Sequence, residues 1–296
     1  MQSLIVVCIS GISCVFQNYS STNFWNNWQW TLDSFKVSDG CKIDLLIEAK
    51  INKQYQEALS KKQTILFEKQ MGFFIWRVYL LKGGEMLCTY SRRSSGEKLL
   101  SFNVSRDWNH VILLEDFTES AGNAAFMMLA QIFPGVCLKH DLLTFHSALV
   151  EYRGKAFAVC ADSGTGKTTH ARLWRDCKNA LILNGDRTVC GRTEGRWTAY
   201  GTPWSGSSGE QINRSAPLEA LVLLERSEVN YIQCLSGLEA FQALMPHLLY
   251  PSWDAELVGR AMELMDDLLA NVRIYRLGCR PDSESVEVLC QAIFKE

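Results

Sequence analysis

Residues 156–169 read AFAVCADSGTGKTT. An apolar run at 156–161 is followed by a glycine-rich segment and then by residues that can begin a helix. Phosphate-binding loops have this order, because glycines let backbone N–H groups turn inward around a polyphosphate. Lys167 offers a cation for the outer phosphates, and Thr168 a hydroxyl for a bound Mg²⁺. The stretch therefore predicts a strand, a phosphate loop and a helix, which together indicate an α/β core.

The predicted nucleotide contacts lie in the loop and the first helical turn. They are Ser163, Gly164, Thr165, Gly166, Lys167, Thr168 and Thr169. The strict pattern GxxxxGK[ST] begins with a glycine, where this chain has Ala161. The flanking strand and helix still predict nucleotide binding, since the helix N-terminus adds its dipole to the loop.

The rest of the C-terminal sequence alternates between strands and helices, as an α/β domain does. Further strands are predicted at residues 142–152, 180–184, 189–192, 197–200, 218–225 and 272–277. Helices are predicted at residues 167–175, 238–249 and 254–271, and from residue 283.

The N-terminal part is predicted to be rich in strands, at residues 4–8, 12–16, 41–47, 64–68, 73–80, 85–90, 99–104 and 111–114. The first two form a hairpin around Ser10-Gly11. A polar helix is predicted at 49–62, and a second at 119–133 that stops at Pro134-Gly135. The predicted domains are residues 1–115, a strand-rich region with possible substrate docking, and residues 116–296, the catalytic domain.

Composition excludes several classes of protein. The 296 residues carry 30 Lys and Arg against 32 Asp and Glu, so the broad basic surface of a nucleic-acid binder is missing. The 11 cysteines are scattered, without metal-ligand spacing, which favours a reducing, cytoplasmic location. No Lys or Arg precedes Lys36 and no apolar run is long enough to span a membrane, so we expect neither a signal peptide nor a membrane partner.

Asp186 is the candidate acidic partner of the loop. It follows the apolar strand at residues 181–184, in the segment LILNGDR. This position falls at the carboxyl edge of a strand next to the phosphate loop. Phosphoryl transfer needs a carboxylate that holds the metal or takes the proton of the attacking hydroxyl. Asp186 is therefore predicted to be the metal ligand, the general base or both, and Thr168 a second metal ligand.

Four motifs together resemble the superfamily of HPr kinase and ATP-type phosphoenolpyruvate carboxykinase. They are HSALV at residues 146–150 with the phosphate loop behind it, NGDR at 184–187, YGTPWSG at 200–206 and CRPD at 279–282. The most similar members are short HPr-kinase-like proteins encoded beside peptide-modification genes, including kinases of lasso-peptide precursors. The resemblance covers residues 140–290 well.

The resemblance implies an α/β (α+β) fold: a mixed-sheet P-loop core of HPr kinase/PEP carboxykinase type, with ATP and Mg²⁺ as cofactors. It gives the phosphate role to Lys167, the metal role to Thr168 and a catalytic role to His146. Many relatives carry two adjacent acids where this chain has Gly185-Asp186. A lone histidine in an apolar strand is otherwise more often a core residue than a catalytic one.

A polar, glycine-rich segment, the glycine-serine loop at residues 202–209, is predicted to cover the site and bind the acceptor. The predicted substrate contacts are Arg187, Thr202, Trp204 and Arg214, with the arginines acting as clamps for phosphate or carboxylate. The aromatic cluster FWNNWQW at 24–30 is predicted to cap the N-terminal sheet rather than to anchor a partner.

The sequence thus predicts an ATP- and Mg²⁺-dependent kinase acting on a Ser or Thr hydroxyl of a peptide or protein, for example a ribosomally made precursor peptide. Two alternatives stay open: a kinase of a free small molecule such as an amino acid, and a nucleotide-binding protein without transfer activity. A carboxykinase is disfavoured because the chain is much shorter than those enzymes. An oligomer is possible.

Overall fold

The computed structural model describes residues 3–19, 28, 31–37, 42–49, 64–96, 98–113 and 119–294. Contacts divide the chain into two compact units. The first comprises Met1–Lys139 and Pro251–Ala255, and the second His140–Tyr250 and Glu256–Glu296. The predicted helix at 49–62, apart from residue 49, and the cluster at 24–30, apart from Trp28, lie outside the described residues. The fold is mixed α/β, with one large mixed sheet in each unit.

The first unit is built on an eight-stranded sheet. Its strands are β1 (Ser3–Ile9), β2 (Ile12–Asn18), β3 (Leu45–Ala49), β4 (Thr64–Met71), β5 (Phe74–Leu80), β6 (Met86–Arg92), β7 (Lys98–Val104) and β8 (His110–Leu113), and a 3-10 helix covers Asp33–Phe35. The spatial order is β1-β2-β3-β8-β7-β6-β5-β4. The pairs β2–β3 and β3–β8 are parallel. The predicted N-terminal hairpin is confirmed, since Ile9 pairs with Ile12.

Helix α1 (Glu119–Lys139) belongs to the first unit, so the units divide at Lys139 rather than at residue 115. The predicted stop at Pro134-Gly135 is wrong, because the helix continues for another turn. An internal proline costs a helix about 3 kcal/mol. Burial offsets that cost: Val136, Cys137 and Leu138 are buried, and the Trp108 ring packs directly on Gly135.

The second unit contains the remaining strands and helices. The strands are β9 (Leu142–Tyr152), β10 (Lys155–Cys160), β11 (Leu181–Asn184), β12 (Arg187–Thr193), β13 (Arg196–Tyr200), β14 (Ser215–Arg226), β15 (Tyr231–Leu235), β16 (Leu248–Leu249) and β17 (Arg273–Cys279). The helices are α2 (Lys167–Lys178), α3 (Gly237–Leu244), α4 (Ala255–Asn271) and α5 (Ser283–Phe294), with a 3-10 turn at Met245–His247. The predicted helix 238–249 is therefore too long, and β15 was not predicted.

The sheet of the second unit closes on itself. Its order is β10-β9-β12-β13-β14-β17-β15, and β10 also pairs with β14 in parallel. The long strand β9 makes this possible, because its first half pairs with β12 and β16 and its second half with β10 and β11. The apolar core of this unit includes Phe157, Trp174 and Leu277, which are fully buried in a cluster to which α2 and α5 both contribute side chains.

None of the helices within the described ranges combines the length and the apolarity that a membrane span requires.

Candidate active site

The register of β9 brings the phosphate loop and Asp186 to the same place. Ser147 pairs with Cys160, the last residue of β10 before the loop. The preceding residue, His146, pairs with Arg187, the first residue of β12 after Asp186. Adjacent residues of one strand therefore lie beside the start of the phosphate loop and beside Asp186. Both segments leave the sheet at this point.

A cavity of about 320 Å³ forms where they meet. Eight of the residues predicted for the site line it: His146, Ser163, Gly164, Gly166, Lys167, Thr168, Thr169 and Asp186. Ser207 and Ser208 of the glycine-serine loop line it as well. Thr165 instead lines the two neighbouring cavities, of about 590 and 440 Å³. A cationic residue, a hydroxyl and a carboxylate thus face one space.

The phosphate loop is held mainly by its own backbone. Gly164 and Gly166 have positive φ angles of 80° and 127°. The Lys167 ammonium donates to the carbonyl oxygens of Ala161 at 2.6 Å and Asp162 at 3.4 Å, so it is folded back onto the loop. Burial lowers the pKa of Lys167, and the nearby Asp186 carboxylate opposes that shift. From outside the loop, Arg226 donates to the Gly164 carbonyl at 2.6 Å.

Asp186 lies in a short segment, the acidic turn (residues 184–187), which is organised by the buried amide of Asn184. Its Oδ1 accepts the backbone N–H of Asp186 at 2.8 Å and that of Arg187 at 2.6 Å. Its Nδ2 donates to the Thr202 carbonyl at 2.8 Å and the Trp204 carbonyl at 3.3 Å. One side chain that is 0% exposed therefore fixes both the acidic turn and the start of the glycine-serine loop.

His146 borders the carboxylate of Asp186. Its Nδ1 lies 3.2 Å from the Asp186 carbonyl oxygen and 3.4 Å from Oδ1. Burial and the charge of Lys167 lower the pKa of His146, while Asp186 raises it, and the net direction is down. The ring is therefore neutral near pH 7. A carbonyl oxygen can only accept, so Nδ1 carries the proton and Nε2 keeps its lone pair.

Gly185 is small for a steric reason. A Cβ at this position would overlap the Oγ of Ser208, which packs against it. Ser208 is itself fixed, because its Oγ donates to the Ser205 carbonyl at 2.7 Å and accepts from the Glu210 N–H at 3.1 Å. The chain therefore has no room for a second acid beside Asp186, and Asp186 is the single carboxylate of this cavity in the described residues.

Three of the predicted substrate residues are buried and do not line the cavity. Thr202 is fully buried and donates through Oγ1 to the Arg187 carbonyl, and Trp204 is also buried. Arg187 is buried behind Asp186, with its Nε 3.5 Å from Oδ2 of that residue. Their contacts are with residues of the acidic turn, which they help to hold in place.

Arg214, the fourth, is not brought to the cavity. It pairs with Glu151 at 2.9 Å. Glu151 faces Ala156 near the beginning of β10, whereas the phosphate loop follows the end of that strand. The glycine-serine loop itself does reach the cavity. The residues of this loop that face the cavity are Ser207 and Ser208, which the sequence did not single out.

His247 was also missed. It lies in the 3-10 turn before β16, which pairs with β9 at Phe145 and Thr144. It lines the 590 Å³ cavity together with Asp162 and Ser163. Burial lowers its pKa, and Asp162 partly opposes this. Pro246, inside the predicted helix 238–249, was the available signal, because a proline there marks a break in the helix.

Comparisons with known proteins add one finding. No protein-family model and no curated protein matches this chain. Among solved structures, it is similar to the Hpr(Ser) kinase/phosphatase from Coxiella burnetii, with a TM-score of 0.32 and 6% sequence identity. The match covers 51% of this chain and 97% of that one. A likeness of this size carries no conclusion about function. The function is therefore inferred from the geometry of the site.

Proposed function

We propose that the chain is a kinase that transfers a phosphoryl group from ATP, with Mg²⁺, to a Ser or Thr hydroxyl of a peptide or protein. One observation carries the proposal: a single cavity is lined by Lys167 and Thr168 of a phosphate loop and by the Asp186 carboxylate. Binding of nucleotide needs only the loop. The carboxylate at the same cavity supplies what transfer requires in addition.

The residues present fit the triphosphate and the metal. Lys167 donates to two carbonyl oxygens of its own loop, and phosphate oxygens can replace these acceptors when nucleotide binds. Thr168 and Asp186 offer a hydroxyl and a carboxylate, the hard oxygen ligands that Mg²⁺ takes beside phosphate and water. When bound, Mg²⁺ neutralises charge on the phosphate oxygens. These two residues would hold it.

Room for the nucleoside lies beside the loop. The cavity of about 440 Å³ is lined by Thr169 of α2, by Leu224 and Pro281, and by the cations Arg226 and Arg280. Apolar walls with a few charged groups suit a base and a ribose. The nucleoside would then occupy one side of the loop and the acceptor the side of Asp186.

Proton transfer is assigned to Asp186. As the acceptor hydroxyl attacks the γ-phosphorus, its proton passes to the carboxylate. His146 supports this step as a positioning residue, because its Nδ1–H donates to the Asp186 backbone carbonyl and lies beside the carboxylate that takes the proton. Lys167 stabilises the charge that develops on the phosphoryl oxygens.

The peptide as acceptor rests on the motif resemblance and on one feature of the first unit. Strand β4 is an edge of its sheet, and among the described strands it pairs with β5 alone. Ile65 on this strand, Phe73 in the turn beyond it and Phe74 at the start of β5 are exposed. An extended peptide can add to such an edge through backbone hydrogen bonds.

Mass spectrometry after incubation with ATP and Mg²⁺ tests the proposal. One set of reactions contains precursor peptides encoded next to this gene, and the other a panel of free amino acids. A gain of one phosphate on Ser or Thr of a peptide is the expected result. Phosphorylation of a free amino acid with none on any peptide would favour the small-molecule kinase, and no transfer to any acceptor would leave only nucleotide binding.

A further inference from the structure

Ser207 lies next to the catalytic carboxylate. The preceding residue, Gly206, packs directly on Asp186: a Cβ on Gly206 would lie 2.8 Å from the carboxyl carbon and 2.9 Å from Oδ1. Consecutive Cα atoms are about 3.8 Å apart, so Ser207 is within one residue of contact with that carboxylate. Ser207 also lines the cavity that contains Lys167 and Thr168.

The hydroxyl of Ser207 is available, whereas that of Ser208 is not. Within the described residues, the Ser207 side chain makes no hydrogen bond, and the residue is exposed. The Ser208 Oγ donates to the Ser205 carbonyl and accepts from the Glu210 N–H. The main chain on either side is bonded to the acidic turn: the Trp204 carbonyl accepts from the Asn184 amide, and the Glu210 carbonyl accepts from the Gly185 N–H.

We propose that Ser207 is a self-phosphorylation site, modified in cis by the nucleoside triphosphate bound at the phosphate loop. This inference rests on the proposed function. The Ser207 Oγ attacks the γ-phosphorus and forms a new O–P bond. The bond between the γ-phosphorus and the bridging oxygen breaks, and its electron pair leaves with the nucleoside diphosphate. The serine proton passes to the Asp186 carboxylate.

The product would regulate the site. A phosphoserine carries a charge of about −1.5 to −2 at neutral pH. At position 207 this charge would lie beside Asp186 and face the space that the triphosphate occupies. Like charges repel, so the phosphorylated protein binds nucleoside triphosphate more weakly than the unmodified protein. Phosphorylation of Ser207 in the absence of acceptor would therefore lower donor affinity.

Intact-protein mass spectrometry with ATP and Mg²⁺, followed by mapping of the phosphate, tests the modification. The full chain gains one phosphate on Ser207, at a rate per molecule that does not change with protein concentration. Ser207→Ala abolishes the gain. Ser208→Ala, which removes the neighbouring hydroxyl, retains phosphate on Ser207. A rate that rises in proportion to protein concentration, or a phosphate that maps elsewhere, would overturn the inference.

A parallel measurement separates this inference from the proposed function. Phosphorylation of a peptide acceptor by the Ser207→Ala variant is followed beside the parent. Transfer to peptide by the parent without any phosphate on Ser207 overturns self-phosphorylation and leaves the kinase intact. Absence of both overturns the kinase itself. Calorimetry gives a readout besides transfer: Ser207→Glu should bind MgATP several-fold more weakly than Ser207→Ala, and equal affinities would contradict the regulatory role.

Discussion

The phosphate loop and the acidic turn line the same cavity but are held in place by different means. The loop has exposed residues, positive φ angles at its glycines and a lysine bonded to its own carbonyls. The acidic turn is tied to the buried Asn184, which bonds to four other residues across two segments of chain. Under the proposed function, the side that would bind the donor can rearrange around phosphate, whereas the side that would take the proton is already held in place.

The proposed function gives this difference a chemical reason. Donor binding would replace the carbonyl contacts of Lys167 by phosphate contacts, so the lysine must be able to move. Proton transfer depends on a carboxylate held at hydrogen-bonding distance from the acceptor, and errors in its position cost rate. Variants on the two sides should therefore lose activity for different reasons. Loop variants should lose charge stabilisation in the transition state, and acidic-turn variants should lose the correct position of the carboxylate.

Apart from Asp186 itself, the largest effect is expected at Lys167. Lys167→Ala removes the cation that stabilises charge on the transferred phosphoryl group, and turnover should fall by about 10²–10³-fold. The fold should survive, because the lysine bonds only to the loop's own carbonyls. Lys155→Ala is the matched control. Lys155 begins β10, at the end of that strand away from the phosphate loop, and pairs with Glu219. Turnover within two-fold of the parent in both variants would refute the assignment of the loop.

Asn184 should give the next largest effect, in stability as well as rate. Asn184→Ala leaves buried backbone groups of both segments without partners, and we expect unfolding free energy to fall by roughly 3 kcal/mol. Asn184→Asp keeps an acceptor for Asp186 and Arg187 but loses the donor to Thr202 and Trp204. Denaturant unfolding of both variants separates the contribution of the bonds that Asn184 accepts from that of the bonds that it donates. An alanine variant as stable as the parent would mean that the turn is not held there.

His170, in the first turn of the helix that follows the phosphate loop, is buried, and it should make the stability of the protein depend on pH. His170 on α2 is 2% exposed and accepts a hydrogen bond from Trp174 Nε1, and burial lowers its pKa to about 4. An unfolded histidine titrates near pH 6.5, so below this the unfolded state binds the extra proton. Stability is unaffected above about pH 6.5 and falls by up to about 3 kcal/mol as pH drops to about 4.

The check on His170 is a comparison of slopes. His170→Gln keeps an acceptor for the Trp174 N–H and cannot titrate. Its unfolding free energy should therefore change less between pH 6.5 and 4 than that of the parent. Superimposable pH profiles would show that His170 is not the group responsible. His146 and His247, whose pKa values are also lowered, contribute to both proteins alike.

The smallest effect is expected at Gly206. Gly206→Ala and Gly209→Ala both place a side chain at a positive φ, 59° and 69°, at a cost of about 1–2 kcal/mol. Only the Cβ at position 206 would meet Asp186, and that at 209 meets nothing within 4 Å. Gly206→Ala should lose at least as much stability as Gly209→Ala, and it alone should lose turnover, by about ten-fold (roughly 1.4 kcal/mol). Equal turnover would show that the Asp186 position is not critical.

The sequence predicted well the strand, the loop and the helix that carry the candidate site. The long apolar run at 142–152 gave β9 with its observed bounds, and the glycine-rich stretch gave the loop and the start of α2. Both signals are local, because apolar alternation and glycine spacing are written in consecutive residues. The nine-stranded arrangement is not local. It depends on β9 pairing with four other strands, which no spacing along the chain expresses.

The predictions that were wrong or incomplete also depend on contacts between residues distant in sequence. Pro134 ends a helix by local rules, yet burial of the following turn and the Trp108–Gly135 contact override it. Arg214 follows the glycine-serine loop in sequence, but the register of the sheet carries it to Glu151 instead. His247 reaches the phosphate loop only because β16 pairs with β9. Each depends on a partner distant in sequence.

Asp186→Asn tests the central claim most directly. The amide keeps the shape of the side chain but loses basicity and metal affinity. Calorimetry with ATP and Mg²⁺, run beside a phosphoryl-transfer assay, measures binding and turnover in the same preparation. We predict that the variant still binds nucleotide, more weakly than the parent, while turnover falls by about 10²–10⁴-fold. Turnover equal to that of the parent would contradict the assignment of Asp186 and the proposed kinase mechanism with it.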